Sequence, residues 1–142
     1  MALGVARGVK KVEGTVVDVT KVDSVCLEDL KAADGIIIGS PTYYGEMSGK
    51  LKTLIDESAK IHGELAGKVG AAFTSSGGTA SGAETTCLSI LQALLVHGMI
   101  IQGRADDKHY GPAAVGCPDK LALQNCEELG KRVAKLVKKL KT

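Results

Sequence analysis

Three adjacent isoleucines between two glycines constrain the fold of this chain more than any other feature. Ile36, Ile37 and Ile38 stand between Gly35 and Gly39. A short, uninterrupted run of β-branched residues is typical of a strand that is buried on both faces, as in a parallel sheet. Parallel strands need crossover connections, usually helices, so this run predicts an α/β protein in which strands and helices alternate.

Two loops of small residues follow two consecutive apolar runs. The first loop is Pro41-Thr42-Tyr43-Tyr44-Gly45, directly after the isoleucines, and the second is Ser75-Ser76-Gly77-Gly78-Thr79-Ala80-Ser81-Gly82. Open parallel sheets bind ligands beyond the carboxyl ends of their strands. The chain has only three tyrosines, one phenylalanine and no tryptophan. Two tyrosines side by side in the first loop therefore indicate a flat ligand, although surface-loop tyrosines and a plain glycine connector are the simpler alternatives.

Composition predicts one soluble domain over residues 1–142. Hydrophobic residues make up 44% and charged residues 24%, and the net charge of +2 is too small to favour nucleic acid or an anionic membrane. No apolar run reaches the roughly 18–20 residues that span a bilayer, and no signal-peptide pattern opens the chain, so we expect a cytoplasmic protein. The four cysteines form no C-x-x-C pair and are expected to be free thiols, some of them buried, with no metal site: Cys26, Cys87, Cys117 and Cys126.

The hydrophobic pattern predicts alternating helices and strands. Helices are expected over residues 2–12, 27–33, 48–60, 84–96 and 118–141, with Ser48 and Pro118 at two of the starts. Strands are expected over residues 15–19, 36–38, 69–74 and 99–101, and a long loop over residues 103–117. In the fourth helix, the spacing of Leu88, Leu91 and Leu95 predicts that these three side chains are buried.

Five segments taken together resemble a known family. They are Gly39-Ser40-Pro41-Thr42-Tyr43-Tyr44-Gly45-Glu46-Met47-Ser48-Gly49, then residues 68–77, Gly82-Ala83-Glu84-Thr85-Thr86, His97-Gly98-Met99-Ile100-Ile101 and Tyr110-Gly111-Pro112. In this order they resemble the flavodoxin-like proteins of the WrbA type, which are FMN-dependent NAD(P)H:quinone oxidoreductases. The resemblance covers nearly the whole chain.

This resemblance implies a fold, a cofactor and a set of site residues. The fold would be a three-layer parallel sheet of strand order 2-1-3-4-5, with FMN at the switch point. Pro41, Thr42, Tyr43, Tyr44 and Gly45 would flank the flavin ring, and the second loop would wrap its pyrimidine edge with Ser75, Ser76, Gly77, Gly78, Thr79 and Gly82. His97 would reach a flavin site at a subunit interface, or else only complement the dipole of the helix that it ends.

The same resemblance implies partners. NAD(P)H would donate hydride and a quinone-like compound would accept electrons, in a homo-oligomer of two or four subunits. The flavin carries the electron chemistry while the protein positions and tunes it, so no catalytic side chain is predicted. Glycines and other small residues let the backbone approach the polar edge of the ring.

The chain departs from the family at its N-terminus. Family members open with a first strand and a Ser/Thr/Gly-rich loop that holds the FMN phosphate, and this sequence shows neither. Three explanations are open: an incomplete N-terminus, a second strand that slides in beside the third, or a second subunit that fills the gap. Two alternative functions follow, an FMN-free remnant that serves as an interaction module, or an electron carrier like flavodoxin.

Overall fold

A sheet of four parallel strands forms the centre of the fold. The computed structural model describes all 142 residues. The strands are β1 (Gly35–Pro41), β2 (Val69–Ser76), β3 (Ile100–Ile101) and β4 (Ala113–Val115). The helices are α1 (Ala2–Lys10), α2 (Leu27–Ala32), α3 (Gly49–Glu57), α4 (Ala83–Val96) and α5 (Lys120–Lys141), and two short 3₁₀ helices span Val22–Ser24 and Ser58–Ile61. The predicted α/β class is confirmed.

The strand β2 is the middle of the sheet. On one side it pairs with β1, from Gly35 opposite Val69 to Pro41 opposite Ser75. On its other side β3 pairs with the beginning of β2 and β4 pairs with its end. Since all these pairs are parallel, the carboxyl ends of β1, β2 and β4 meet at one edge of the sheet.

Helices cover both faces of the sheet. On one face α1 and α5 enclose a core of Val5, Val69, Ala71, Cys126, Leu129 and Val133. On the other face α3 and α4 contribute to a core that includes Leu51, Cys87, Ile90, Leu91, Leu94 and Met99. In β1, Ile37 packs against the first core while Ile36 and Ile38 pack against the second, so successive side chains serve opposite faces.

The backbones of α1 and α5 approach each other through glycines. A Cβ on Gly8 would lie 1.8 Å from the carbonyl oxygen of Glu127, and one on Gly130 would lie 2.0 Å from that of Val5. The contacts between the two helices advance towards the C-terminus of both, so α1 and α5 run in the same direction. Because α5 starts just after β4, the N-termini of both helices lie at the carboxyl edge of the sheet.

The prediction of a strand at residues 15–19 is wrong. Residues 16–20 form no backbone–backbone hydrogen bond, and Val16 is 98% exposed. β-Branched residues favour a strand only where a partner strand is available to pair with them. The segment does not pair with β1, so this structure does not show a second strand that slides towards the third. Strands 2 and 1 of the implied order 2-1-3-4-5 are therefore not formed.

Other predictions from the pattern need smaller corrections. The isoleucines of β1 are only half-buried, since one edge of this strand has no neighbour in the sheet. The predicted loop 103–117 contains β4, and Leu95 is exposed because Ile90, Leu91 and Leu94 form the buried side of α4. Pro118 precedes α5 rather than starting it.

The predicted start of the third helix is confirmed by its cap. The hydroxyl of Ser48 accepts a hydrogen bond from the backbone N–H of Leu51 at 3.3 Å. The N-cap of α5 is Asp119, whose carboxylate accepts a hydrogen bond from the N–H of Ala122 at 2.7 Å. A side-chain acceptor at this position satisfies one of the free N–H groups of a first helical turn.

The cysteines divide into two buried and two exposed residues. Cys87 and Cys126 lie in the two cores, while Cys26 and Cys117 are exposed. Burial raises the pKa of the Cys87 thiol to about 12, with a smaller contribution from the charge of Glu84. None of the helices combines the length and the apolar character needed to cross a bilayer.

Candidate functional site

Three loops converge where β1, β2 and β4 end. Pro41 lies opposite Ser75 in the sheet, and the N–H of Thr42 donates to the carbonyl of Ser75 at 2.7 Å. On the other side of β2, the N–H of Gly116 donates to the carbonyl of Ser76 at 2.8 Å. The structure therefore brings together the two loops, 41–45 and 75–82, that the sequence predicts to form one site.

A buried hydroxyl chain joins the first two loops. Thr74 is completely buried, and its hydroxyl donates to the carbonyl of Ser40 at 2.7 Å. Its single proton is then committed, so Thr42 donates to the hydroxyl oxygen of Thr74 across 2.9 Å. This chain fixes Thr42 at the base of the site with an oxygen that can still accept a hydrogen bond.

Tyr43 and Tyr44 lie on a tight hairpin at the mouth of the site. Tyr43 and Glu46 exchange two backbone hydrogen bonds of 3.0 Å, and Tyr44 and Gly45 between them have φ angles of +50° and +77°. These angles are those of a two-residue type I′ turn. Tyr44 is fully exposed and Tyr43 is 60% exposed, so both rings are available to cover a planar ligand.

The backbones of the two loops also approach each other at Gly45 and Gly82. A Cβ on Gly82 would lie 2.5 Å from the Cα of Gly45, and Gly82 has a φ of +97°. Gly82 is also the N-cap of α4, where its carbonyl accepts from the N–H of Thr86 at 3.0 Å and from the Thr86 hydroxyl at 2.8 Å. A side chain at position 82 would therefore separate the loops.

The second loop holds its shape through short serine contacts. The hydroxyls of Ser76 and Ser81 both donate to the carbonyl of Gly78, at 2.9 and 2.6 Å. Gly77 has no atom within 4 Å of an added Cβ, and Thr79 is exposed. No side chain caps α4, so the N–H groups of its first turn add donors beside this loop.

The structure does not bring His97 to this site within one chain. His97 ends α4, a helix that starts at the site and runs 14 residues away from it, which is about 21 Å at 1.5 Å per residue. It is 8% exposed, and its Nε2 lies 2.7 Å from the hydroxyl of Ser58. Its predicted role at a subunit interface stays a prediction.

The protonation of His97 follows from these contacts. The Ser58 hydroxyl donates to the carbonyl of Ile55 at 2.6 Å, so Nε2 of His97 must donate to the Ser58 oxygen. Nδ1 is then an acceptor, and it is buried without a partner. Burial lowers the pKa of His97, and the His62 ring, 5.9 Å away, lowers it further.

A third wall of the site was not predicted. Val115, at the end of β4, is exposed beside the second loop, and Gly116 and Cys117 continue from it. The small residues around β4 gave no periodic signal, and only its pairing with β2 identifies it as a strand. Just before β4, the backbone of Gly111 already lies close to β2, since a Cβ there would be 2.1 Å from the carbonyl oxygen of Ala72.

The site fits the ring of FMN. The close approach of Gly45 and Gly82 leaves backbone groups exposed where Cβ atoms would otherwise stand, as the polar edge of an isoalloxazine requires. The Ser/Thr/Gly-rich loop that the resemblance implies is not among residues 1–142.

One family model and two relatives match the sequence of this chain. The model described as NADPH-dependent FMN reductase matches residues 8–106. A protein of Aquifex aeolicus named flavodoxin is 39% identical over 145 residues, which cover 96% of this chain and 78% of that protein. A protein of Archaeoglobus fulgidus named NAD(P)H dehydrogenase (quinone) is 44% identical over 122 residues, covering 80% of this chain and 64% of that protein.

Solved structures share the fold. A flavodoxin, WrbA-like protein from Agrobacterium tumefaciens superposes with a TM-score of 0.77 at 26% identity. The match covers 96% of this chain and 87% of that one. The architecture is therefore flavodoxin-like, with the crevice at the carboxyl edge where such folds bind their ligands.

Proposed function

Because this chain belongs to the NADPH-dependent FMN reductase family, we propose that it is an NAD(P)H:quinone oxidoreductase. FMN is its cofactor and supplies, when bound, the capacity to take up hydride and to pass electrons on. The convergence of loops 41–45 and 75–82 at one edge of the sheet carries this proposal. The 44% identical relative named NAD(P)H dehydrogenase (quinone) supports the choice of substrates.

The chain's own residues bind and orient in this proposal. Thr42, Tyr43 and Tyr44 flank the ring, and the backbone of residues 75–82 offers N–H and carbonyl groups to its polar edge. A nicotinamide and a quinone would then occupy the open face of the ring in turn.

A second candidate is a flavodoxin-like electron carrier. The relative from Aquifex aeolicus that bears the name flavodoxin aligns with 96% of this chain. A carrier needs the same ring-binding loops but no site for a nicotinamide. The third candidate is an FMN-free interaction module. The observation in its favour is the edge of β1 that has no neighbouring strand.

One assay separates the three candidates. The purified chain is loaded with FMN, and the oxidation of NADPH is followed with and without benzoquinone. The proposed reductase oxidises NADPH and reduces the quinone only when FMN is present. A carrier leaves NADPH unchanged but is reduced by dithionite and returns the electrons to an oxidant, whereas an interaction module binds no FMN at tens of micromolar.

Two further properties belong to the proposal. We infer a homo-oligomer of two or four subunits, in keeping with the implied place of His97 at a subunit interface; sedimentation of the loaded protein tests it. We also infer a cytoplasmic location, supported by four cysteines that form no disulfide with one another.

A further inference from the structure

A basic groove lies between α5 and the segment that joins β3 to β4. It has a volume of about 530 Å³, within the 300–1,000 Å³ typical of small-molecule sites. Six basic side chains and two acidic ones line it. The basic residues are Arg104, Lys108, Lys131, Arg132, Lys135 and Lys139.

Most of this positive charge has no acidic partner. Arg104 has Asp106 and Asp107 within 3.6 Å, and Lys108 donates to Asp107. The four basic residues of α5 that line the groove have no carboxylate within 4 Å, although Glu128 is also part of the lining. Lys141, two residues beyond Lys139, does pair with Asp34. Other lysines, such as Lys10 and Lys60, also lack a carboxylate partner, but the groove gathers four unpaired basic residues of one helix.

Arg132 carries a buried donor that the protein leaves without a partner. Its Nε is buried and has no hydrogen-bond partner. Burial lowers the pKa of its guanidinium, and the nearby charge of Arg104 lowers it further. A planar guanidinium with free N–H groups is the geometry that binds phosphate through two parallel hydrogen bonds.

The spacing along α5 indicates more than one phosphate. Lys131, Lys135 and Lys139 follow one another at intervals of four residues, so they lie on one side of the helix at steps of about 6 Å. Like charges at this spacing repel each other, and a single monoanion would neutralise only one of them. An extended chain of phosphates would neutralise all three.

We propose that this groove binds a small molecule that carries a chain of two or more phosphate groups. Inorganic polyphosphate and the phosphate tail of a nucleotide share this chemistry. The groove is separate from the flavin site. Lys131 and Lys139 lie 11 and 19 residues beyond the first residue of α5, about 17 and 29 Å along the axis from the end nearest the flavin loops.

Calorimetric titration of the FMN-loaded chain tests the proposal with tripolyphosphate, ATP and adenosine. We expect one tripolyphosphate per chain, with an affinity that falls as the ionic strength rises. ATP binding like tripolyphosphate would identify the phosphate tail, and weaker ATP binding would identify the inorganic chain. Adenosine that binds as tightly as ATP, or tripolyphosphate that does not bind at millimolar concentration, overturns the proposal.

Two double variants locate the site. Lys135→Gln/Lys139→Gln removes two exposed charges of the groove, and Lys10→Gln/Lys60→Gln removes two exposed charges elsewhere. We expect the first to weaken tripolyphosphate binding about tenfold or more, because charge-assisted hydrogen bonds to phosphate are strong, and the second to leave it within twofold. Equal losses of tripolyphosphate affinity in both variants would mean that binding depends only on the net charge of the chain, which would overturn the assignment to the groove. Arg132→Lys should weaken binding less than Arg132→Gln, with thermal melting as the check on folding.

Discussion

Gly82 lies against Gly45 in the crevice that we propose for the flavin ring. Alanine at position 82 would bring a Cβ to 2.5 Å from the Cα of Gly45 at a φ of +97°, so the loops must separate. We expect Gly82→Ala to weaken FMN binding about tenfold or more, the equivalent of 1.4 kcal/mol, within the range for a strained backbone. Quenching of flavin fluorescence measures the affinity.

Gly103→Ala is the matched control for this variant. Position 103 has an ordinary φ, and an added Cβ would be 3.7 Å from its nearest neighbour, the carbonyl oxygen of His109. FMN should bind it as tightly as it binds the original chain. Unchanged affinity in Gly82→Ala would mean that the two loops do not hold the ring between them.

Tyr44 combines local strain with a proposed ligand contact. A non-glycine residue in the left-handed region costs about 1–2 kcal/mol, and the Tyr44 ring is fully exposed. We therefore expect Tyr44→Gly to raise the stability against urea while FMN affinity falls about threefold to tenfold, as for a lost aromatic contact. Lys108→Gly, also at positive φ but away from the flavin loops, should raise stability without changing FMN affinity.

His97 makes the stability of the fold depend on pH. Its pKa is lowered in the folded protein, chiefly by burial, so the unfolded chain binds the proton more tightly. The contribution of neutral His97 is complete above its unfolded pKa of about 6.5 and is lost as the pH falls towards the lower folded value.

The variant His97→Gln should remove this dependence. Urea unfolding at several pH values would show a smaller loss of stability in acid than for the original chain. The original chain, measured in parallel over the same pH range, provides the reference profile. An acid profile that is the same with and without His97 would contradict the burial argument.

At the scale of elements, the α1–α5 contact depends on glycines. We expect Gly8→Ala to destabilise the fold by about 1–3 kcal/mol or more, because its Cβ would overlap the Glu127 carbonyl and the helices must move apart. Gly49→Ala in α3, where an added Cβ meets nothing within 4 Å, should be neutral or stabilising. Thermal unfolding distinguishes the two, and equal melting temperatures would contradict close helix packing.

Elements were predictable wherever their signal is local. The cap at Ser48 marks the start of α3, and the isoleucine run marks β1, since these signals reside in adjacent residues. Residues 15–19 show the limit: β-branched composition favours a strand, but a strand also requires a neighbour. β4 shows the converse, because Ala113–Val115 is a strand only through pairing with residues 74–76.

At the scale of the molecule, the meeting of the two loops was predictable from the sequence, whereas the contacts that complete the crevice were not. Two loops after consecutive parallel strands must meet at one edge, so residues 41–45 and 75–82 could be placed together before the structure. The Gly45–Gly82 contact and the third wall at residues 115–117 depend on how distant elements pack. His97 begins one of the segments that resemble the family, but it lies at the end of α4 that is far from the two loops.

The central claim is that this chain binds FMN in the crevice formed by loops 41–45 and 75–82. Titration of FMN with the purified 142-residue chain, followed by flavin fluorescence, tests it most directly. The account predicts saturable quenching with one FMN per chain, at micromolar or lower concentrations, and its weakening in Gly82→Ala but not in Gly103→Ala. The absence of quenching at tens of micromolar protein, with the chain folded by circular dichroism, would contradict it.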